Sequence, residues 1–290
     1  MVYLPDFDYH APESLDEACR LLARLGSRAK VFAGGTDVLV KMKHDLLSPE
    51  VLVSLKNISE LRGINYVQGR GVVIGAGTTH NELANSPLLQ EKYLSVCEAA
   101  HHMANNQVRN VGTIGGNIVN AVPSADLPPI LIALSAGVKL VGTSGEREVP
   151  LKNFFTGPGQ SIIKSDEILT EIVIPDQPTT GSTYIKFGLR RSGALAVVGV
   201  AVAITVDGSI IREARIAMGA VAPTPMRAVM AEQLLKGREI SDELLEEAGV
   251  CASGECKPIS DIRGSEEYRR DMVRVFTRRA LQKAINEGHV

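Results

Sequence analysis

The apolar residues Leu15, Ala18, Leu21, Leu22 and Leu25 recur at three- and four-residue intervals, the pattern of one helical face. Ser14-x-x-Glu17 ahead of them fits a capping box, and Gly26 fits the stop. The next apolar blocks are short and continuous rather than periodic. Residues 30–33, 51–55 and 72–77 read as strands; Gly34-Gly35 stops the first, and the third is itself glycine-rich. A small helix is predicted from about Asn81, and helical spacing continues over 96–105. Residues 111–120 hold three glycines, which argues against a simple helix or strand interior there. Pro128-Pro129 suits the first turn of an apolar helix running to Leu134, and residues 168–174 read as a strand closed by Pro175.

The polar segment Asp176-Gln-Pro-Thr-Thr-Gly-Ser182 reads as a linker and divides the chain into 1–176 and 177–290. Beyond it the pattern changes to strands at 184–187, 195–206 and 210–218, with Asp207-Gly208 as a hairpin turn. Helices are predicted at about 226–236, 242–252 and 266–286, so the second part is an α+β layer. The last helix carries Arg269, Arg270, Arg274, Arg278, Arg279 and Lys283 among Glu266, Glu267 and Asp271. With Met272, Val275, Phe276, Ala280 and Leu281 as its buried stripe, these charges are expected on a solvated face.

Composition narrows the class. A length of 290 residues suits two domains, and with no Trp and 4% aromatics the core must come from Val, Ile, Leu and Ala. A net charge of −2 supplies no basic field for nucleic acid or acidic membranes. No uncharged run reaches the ~20 residues of a membrane span. The acidic opening Met1-Val-Tyr-Leu-Pro-Asp-Phe-Asp8 is unlike a signal or transit peptide. Cys19, Cys97, Cys251 and Cys256 have no framework spacing and read as free thiols of a reducing cytoplasm.

Candidate chemistry lies in two loops, Ala33-Gly34-Gly35-Thr36-Asp37 and Thr113-Ile114-Gly115-Gly116-Asn117. Paired glycines let backbone N–H groups converge on an anion without Cβ obstruction, and Thr36 and Thr113 add hydroxyl donors. Two such loops could grip a dinucleotide diphosphate from both sides without Lys or Arg. Neither loop is GxGxxG or a P-loop, so a Rossmann or Walker site is not supported. The residues alone leave two readings open: a nucleotide or flavin site, and two tight turns of a glycine-rich fold.

The longer motifs around these loops carry a resemblance. Asn106-Gln-Val-Arg-Asn-Val-Gly-Thr-Ile-Gly-Gly-Asn117 and its continuation Ala121-Val-Pro-Ser-Ala-Asp-Leu-Pro-Pro129 are joined by Gly75-Ala-Gly-Thr-Thr-His80, Tyr184-Ile-Lys-Phe-Gly-Leu-Arg-Arg191 and Phe7-Asp-Tyr-His-Ala-Pro12. Together they resemble, over essentially the whole chain, the FAD-binding (medium) subunit of the molybdenum hydroxylases, the family of xanthine dehydrogenase and aerobic carbon monoxide dehydrogenase. The resemblance implies an α+β fold. It consists of a two-subdomain FAD-binding module of the vanillyl-alcohol-oxidase/PCMH type, split near residue 56, and a small C-terminal α+β domain with a three-stranded antiparallel sheet and a helical bundle.

The resemblance also implies site residues. The first loop, Val31, Phe32, Ala33, Gly34, Gly35, Thr36, Asp37 and Val38, is expected to wrap the FAD diphosphate. Thr113, Ile114, Gly115, Gly116 and Asn117 would hold its other side. Asp126 matches an acid at the flavin or ribityl region, against the alternative of a helix N-cap. Leu169 matches a position near the adenine portion, otherwise simply core; Lys186 matches a lysine reaching towards the flavin, otherwise a surface lysine of an edge strand. Met103 replaces an aromatic that packs on the flavin in some relatives, and Leu195 replaces a tyrosine, so acceptor choice does not follow from the resemblance. No catalytic acid–base residue is implied, and the four cysteines lack the insertion that houses an extra cluster in some relatives. His80 and the pair His101-His102 are expected to be satisfied polar residues, not metal ligands.

The implied role is electron transfer within an oxidoreductase. Substrate is oxidised at molybdopterin on a large partner subunit, and electrons pass through [2Fe–2S] clusters of a small partner to FAD in this chain. From FAD they go to a soluble acceptor such as NAD. A heterotrimer or a dimer of heterotrimers is expected. The alternatives are a self-sufficient flavin oxidoreductase of the same fold and a flavin-binding scaffold without turnover.

Overall fold

A computed structural model describes residues 4–190 and 192–287. Met1, Val2 and Tyr3 of the acidic opening, and Arg191 of the Tyr184 motif, lie outside the described residues. Among the described residues, three larger sheets follow one another along the chain, with a two-stranded hairpin beside them. In the first, β1 (Asp8–His10), β2 (Ala29–Phe32) and β3 (Val51–Ser54) run parallel in the order β1-β3-β2. Helix α1 (Leu15–Leu25) covers this sheet with Ala18, Cys19, Leu21 and Leu22 buried, and α2 (Val38–Lys43) follows the first glycine loop. Ser14 accepts from the Glu17 amide as expected. Glu17, however, reaches back to the Glu13 amide rather than to Ser14, so the box is open on one side.

The second sheet is antiparallel, order β4-β5-β10-β6-β7. Its strands are β4 (Ile64–Val67), β5 (Gly71–Gly75), β6 (Gly137–Gly142), β7 (Gly145–Pro150) and β10 (Ile168–Ile174); β8 (Phe155–Gly157) and β9 (Gln160–Ser161) form a separate hairpin. Between β5 and β6 the chain makes six short helices: α3 (His80–Ala84), α4 (Pro87–Lys92), α5 (Leu94–His101), α6 (Asn106–Arg109), α7 (Ile114–Val119) and α8 (Leu127–Ala133). Helix α8 is apolar on every side and entirely buried.

Helix α7 corrects the expectation for residues 111–120. The segment does contain a helix, with two glycines inside it. Thr113 supplies the N-cap by accepting from the Gly116 amide. At Gly115 a Cβ would lie 2.7 Å from both the Cβ and the carbonyl oxygen of Ala76, so this turn packs closer than any larger residue permits. Tertiary contact here overrides the helix-breaking tendency of glycine.

The third sheet contains β11 (Gly181–Phe187), β12 (Val198–Asp207) and β13 (Ile210–Gly219), antiparallel, and a two-residue strand β14 (Met226–Arg227) adds a fourth to the expected three. Asp207 pairs with Ile210, closing the hairpin through Gly208 at φ 59°. Both faces are covered. Tyr184, Ala201, Ala203 and Ala217 join the core around α5 and α8, while Val198, Val200, Val202 and Ile204 pack with α9 (Val229–Leu235), α10 (Asp242–Glu255) and α11 (Glu266–Glu287). Strand alternation therefore aims Tyr184 and Lys186 of β11 at the preceding part of the chain.

The last helix departs from the expected solvated face at Arg269. This arginine is buried and donates to the Val197 and Ala220 carbonyls and to Asp261. Most of the remaining basic residues pair within the chain: Arg270 with Glu266, Arg274 and Arg278 with Glu246, and Lys283 with Glu98 of α5.

Candidate functional site

The two glycine loops meet. Gly34 lies so close to the second loop that a Cβ on it would collide with the Val111 carbonyl oxygen, and Gly112 Cα lies 3.0 Å from the same point. Gly35 adopts φ +75°, and its Cβ position is 2.6 Å from the Phe32 ring. A polar clamp reinforces the contact. Asn120 donates to Asp37 Oδ1 at 2.7 Å and accepts from Lys41 Nζ at 2.8 Å. Neither Asn120 nor Lys41 was singled out from sequence, because a lone Asn one residue past a helix carries no ligand signal of its own.

The two loops offer different donors. Among the described residues, the amides of Gly34, Gly35, Thr36 and Asp37 find no acceptor, so four consecutive N–H groups are free for an anion. The second loop does not match this, contrary to the expectation of converging amides on both sides. Ile114 N–H donates to the Thr78 carbonyl, Gly115 to Ala76, Gly116 to the Thr113 hydroxyl and Asn117 to the Thr113 carbonyl. What remains there is the Thr113 N–H and hydroxyl proton, the exposed surface of Gly116, and the Asn117 side-chain oxygen, which is buried without a partner.

Val31 and Phe32 are half-buried at the end of β2, Ala33 begins the loop, and Val38 opens α2. Leu169 is 4% exposed on β10, paired with Leu140 and packed in the central core. Its strand reaches the second loop through two bonds: Ala76 N–H to the Thr170 carbonyl, and Gly115 N–H to the Ala76 carbonyl.

Asp126 stands at the N-cap position of α8. Its dihedrals are helical and its side chain makes no capping hydrogen bond, so it does not act as a cap. Instead its carboxylate accepts from Lys186 Nζ at 2.7 Å and from the Tyr184 hydroxyl at 2.9 Å. The side chains are 5% and 10% exposed for Asp126 and Lys186, so this is a buried ion pair bridging α8 and β11. Burial pushes the Asp126 carboxyl above its ordinary range, against the opposing pull of Lys186, and drives the buried Tyr184 hydroxyl well upward. The i,i+2 spacing of Tyr184 and Lys186 on a strand is the sequence signal that puts both on one face.

Lys186 also donates to the His102 carbonyl at 3.1 Å, which brings in the turn after α5. Met103 is buried there, and its sulfur accepts from the Asn117 side-chain amide at 3.4 Å. A cleft of about 310 Å³ opens beside the pair, lined by His102, Lys186 and residues of the loop following β11. Leu195 lies on that loop, 58% exposed.

No cluster of three or more His, Cys, Asp or Glu suited to a metal exists among the described residues. His101 and His102 are exposed, with rings edge-on 6.2 Å apart. His80 departs from the expected satisfied residue. It is buried with Nδ1 unpartnered, and burial together with the positive charge of Arg109 pushes its pKa down to about 3. It is a neutral imidazole.

Two family models match the chain. Residues 5–177 match the FAD binding domain in molybdopterin dehydrogenase, and residues 183–284 match the CO dehydrogenase flavoprotein C-terminal domain. The chain is 40% identical over 281 residues to the carbon monoxide dehydrogenase medium chain of Hydrogenophaga pseudoflava, covering 97% of each. It is 34% identical over 279 residues to a putative xanthine dehydrogenase FAD-binding subunit of Escherichia coli, covering 96% of this chain and 95% of that one. Among solved structures, a chain of carbon monoxide dehydrogenase from Hydrogenophaga pseudoflava, in a form lacking the Mo-pyranopterin moiety, superimposes with a TM-score of 0.95 at 39% identity. The overlap covers 98% of this chain and 99% of that one.

Proposed function

The chain belongs to the FAD-binding medium subunits of the molybdenum hydroxylases, oxidoreductase flavoproteins, and from that premise we propose that it is the electron-transfer station of such a complex. It takes electrons from [2Fe–2S] clusters of a small partner subunit, which receives them from a large molybdopterin subunit, and passes them to a soluble acceptor such as NAD. The assembly is a heterotrimer or its dimer, in the cytoplasm. Residues 1–176 serve as the FAD-binding domain, in two subdomains dividing near residue 56, and 177–290 as the C-terminal flavoprotein domain.

The residues present fit FAD. The observation that carries the reading is the row of four unaccepted amides at residues 34–37 facing a second loop that ends in a buried, unpartnered Asn117 oxygen. Bound FAD supplies reversible one- and two-electron chemistry. The amides of residues 34–37 bind its diphosphate, with the Thr36 and Thr113 hydroxyls as further donors. Val31, Phe32, Ala33 and Val38 shape the first loop, and Ile114, Gly115 and Gly116 keep the second one narrow. Met103 supplies an apolar surface for the ring, Leu169 backs the adenine side, and Asp126 and Lys186 set the charge at the flavin end. No residue of this chain needs to act as a general acid or base on the oxidised substrate.

The test is direct. The purified chain, supplied with FAD, should show flavin absorbance near about 370 and 450 nm. On isolation from its source it should carry an iron–sulfur chain and a molybdenum chain. A chain that cannot be loaded with FAD overturns the reading, as does a lone flavoprotein that oxidises a substrate by itself.

A further inference from the structure

The turn after α5 is tied down to an unusual degree. Three consecutive carbonyls each accept from a different element: His102 from Lys186 Nζ at 3.1 Å, Met103 from Arg109 Nη1 at 2.8 Å, and Ala104 from the Gly193 amide at 3.0 Å. Ala104 sits at φ +45°, a left-handed conformation that an L-residue keeps only when its surroundings enforce it. One residue earlier, the Met103 sulfur takes the Asn117 amide. The turn therefore joins the Asp126–Lys186 pair, the second glycine loop and the loop lining the cleft.

Of the three donors, only Arg109 belongs to none of those parts. It lies on α6, and its Nε is oriented by Asn81 Oδ1 at 3.3 Å. Asn81 in turn donates to Asn106 Oδ1 at 2.9 Å and to Asn110 Oδ1. We propose that Arg109 is a positioning residue of the flavin site: by holding the Met103 carbonyl it fixes the left-handed turn. That turn sets both the Met103 side chain against the flavin and the carbonyl that steers Lys186. The proposal rests on the FAD reading above. Without the guanidinium the Met103 carbonyl loses its donor, Ala104 is free to relax, and Met103 and Lys186 lose their common anchor.

The experiment measures FAD affinity by flavin fluorescence on the full chain, with the fluorescence yield of bound flavin as a second readout. Arg109→Leu is expected to raise the FAD Kd by about tenfold or more and to make the bound flavin brighter. Arg109→Lys, which can still reach one carbonyl, recovers most of the affinity. On a Met103→Ala background the Arg109→Leu effect shrinks, because the residue it acts through is gone; a merely structural role would add in full. Should Arg109→Leu not fold, Asn81→Ala, which frees the guanidinium, is expected to weaken FAD about threefold. Wild-type protein that binds no FAD overturns the flavin reading itself. Wild type that binds FAD while Arg109→Leu or Asn81→Ala leaves Kd unchanged, or effects that add fully with Met103→Ala, overturn the Arg109 proposal alone.

Discussion

His80 makes the stability of this chain pH-dependent by an amount that follows from its surroundings. The imidazole is buried beside Gly112, with Nδ1 unpartnered and Arg109 nearby, and its pKa falls from 6.5 to about 3. The folded state thus refuses a proton that the unfolded chain accepts. Stability from this group is complete above pH 6.5 and is lost as pH falls from there towards 3. At 1.36 kcal/mol per pKa unit, the loss is about 2 kcal/mol on going from pH 7.5 to 5. Asp126, whose pKa is raised by burial, works in the opposite direction over the acid range, so the comparison must be between variants. Urea unfolding of wild type and His80→Leu at both pH values isolates the contribution, because leucine fills a similar volume and does not titrate. The variant should lose about 2 kcal/mol less than wild type over that interval. Parallel losses in the two proteins would refute the reasoning.

Other outcomes follow from the site. Lys186→Met leaves Asp126 buried without its cation and should cost about 3–5 kcal/mol by denaturant unfolding at pH 7.5, while Asp126→Asn combined with it recovers much of that loss. Gly34→Ala pushes against the Val111 carbonyl and should separate the loops; a visible spectrum showing normal flavin content would contradict that contact. Gly35→Val should also lose FAD, through strain at φ +75° and collision with Phe32 rather than by blocking the diphosphate directly, and the loss should come with a lowered thermal midpoint. Thr113→Val removes the cap of α7 and should cost about 1 kcal/mol in the same unfolding assay.

The strongly periodic or apolar elements were legible from sequence. Helix α1, strand β10 and the long strands of the third sheet fall within a few residues of expectation, because their patterns match the burial they meet. Segments governed by distant partners were not. Residues 114–119 form a helix in which Gly115 packs against Ala76, a pairing 39 positions apart that no local window contains. Arg269 reads as one more surface charge in a basic helix, yet the Val197 and Ala220 carbonyls capture it. Within the proposed site, the partners of the candidate residues were not legible. Nothing near Asp126 in the sequence announces that Tyr184 and Lys186 converge on it from a strand 58 and 60 positions away.

The unequal cradle has a kinetic corollary. The amides of residues 34–37 are unaccepted, whereas those of residues 114–117 already serve internal bonds. In deuterium the first group should label quickly and the second slowly. Adding FAD should then slow labelling at residues 34–37 while hardly altering residues 114–117. The cofactor's arrival would thus be written on one wall of the cradle and leave almost no trace on the other.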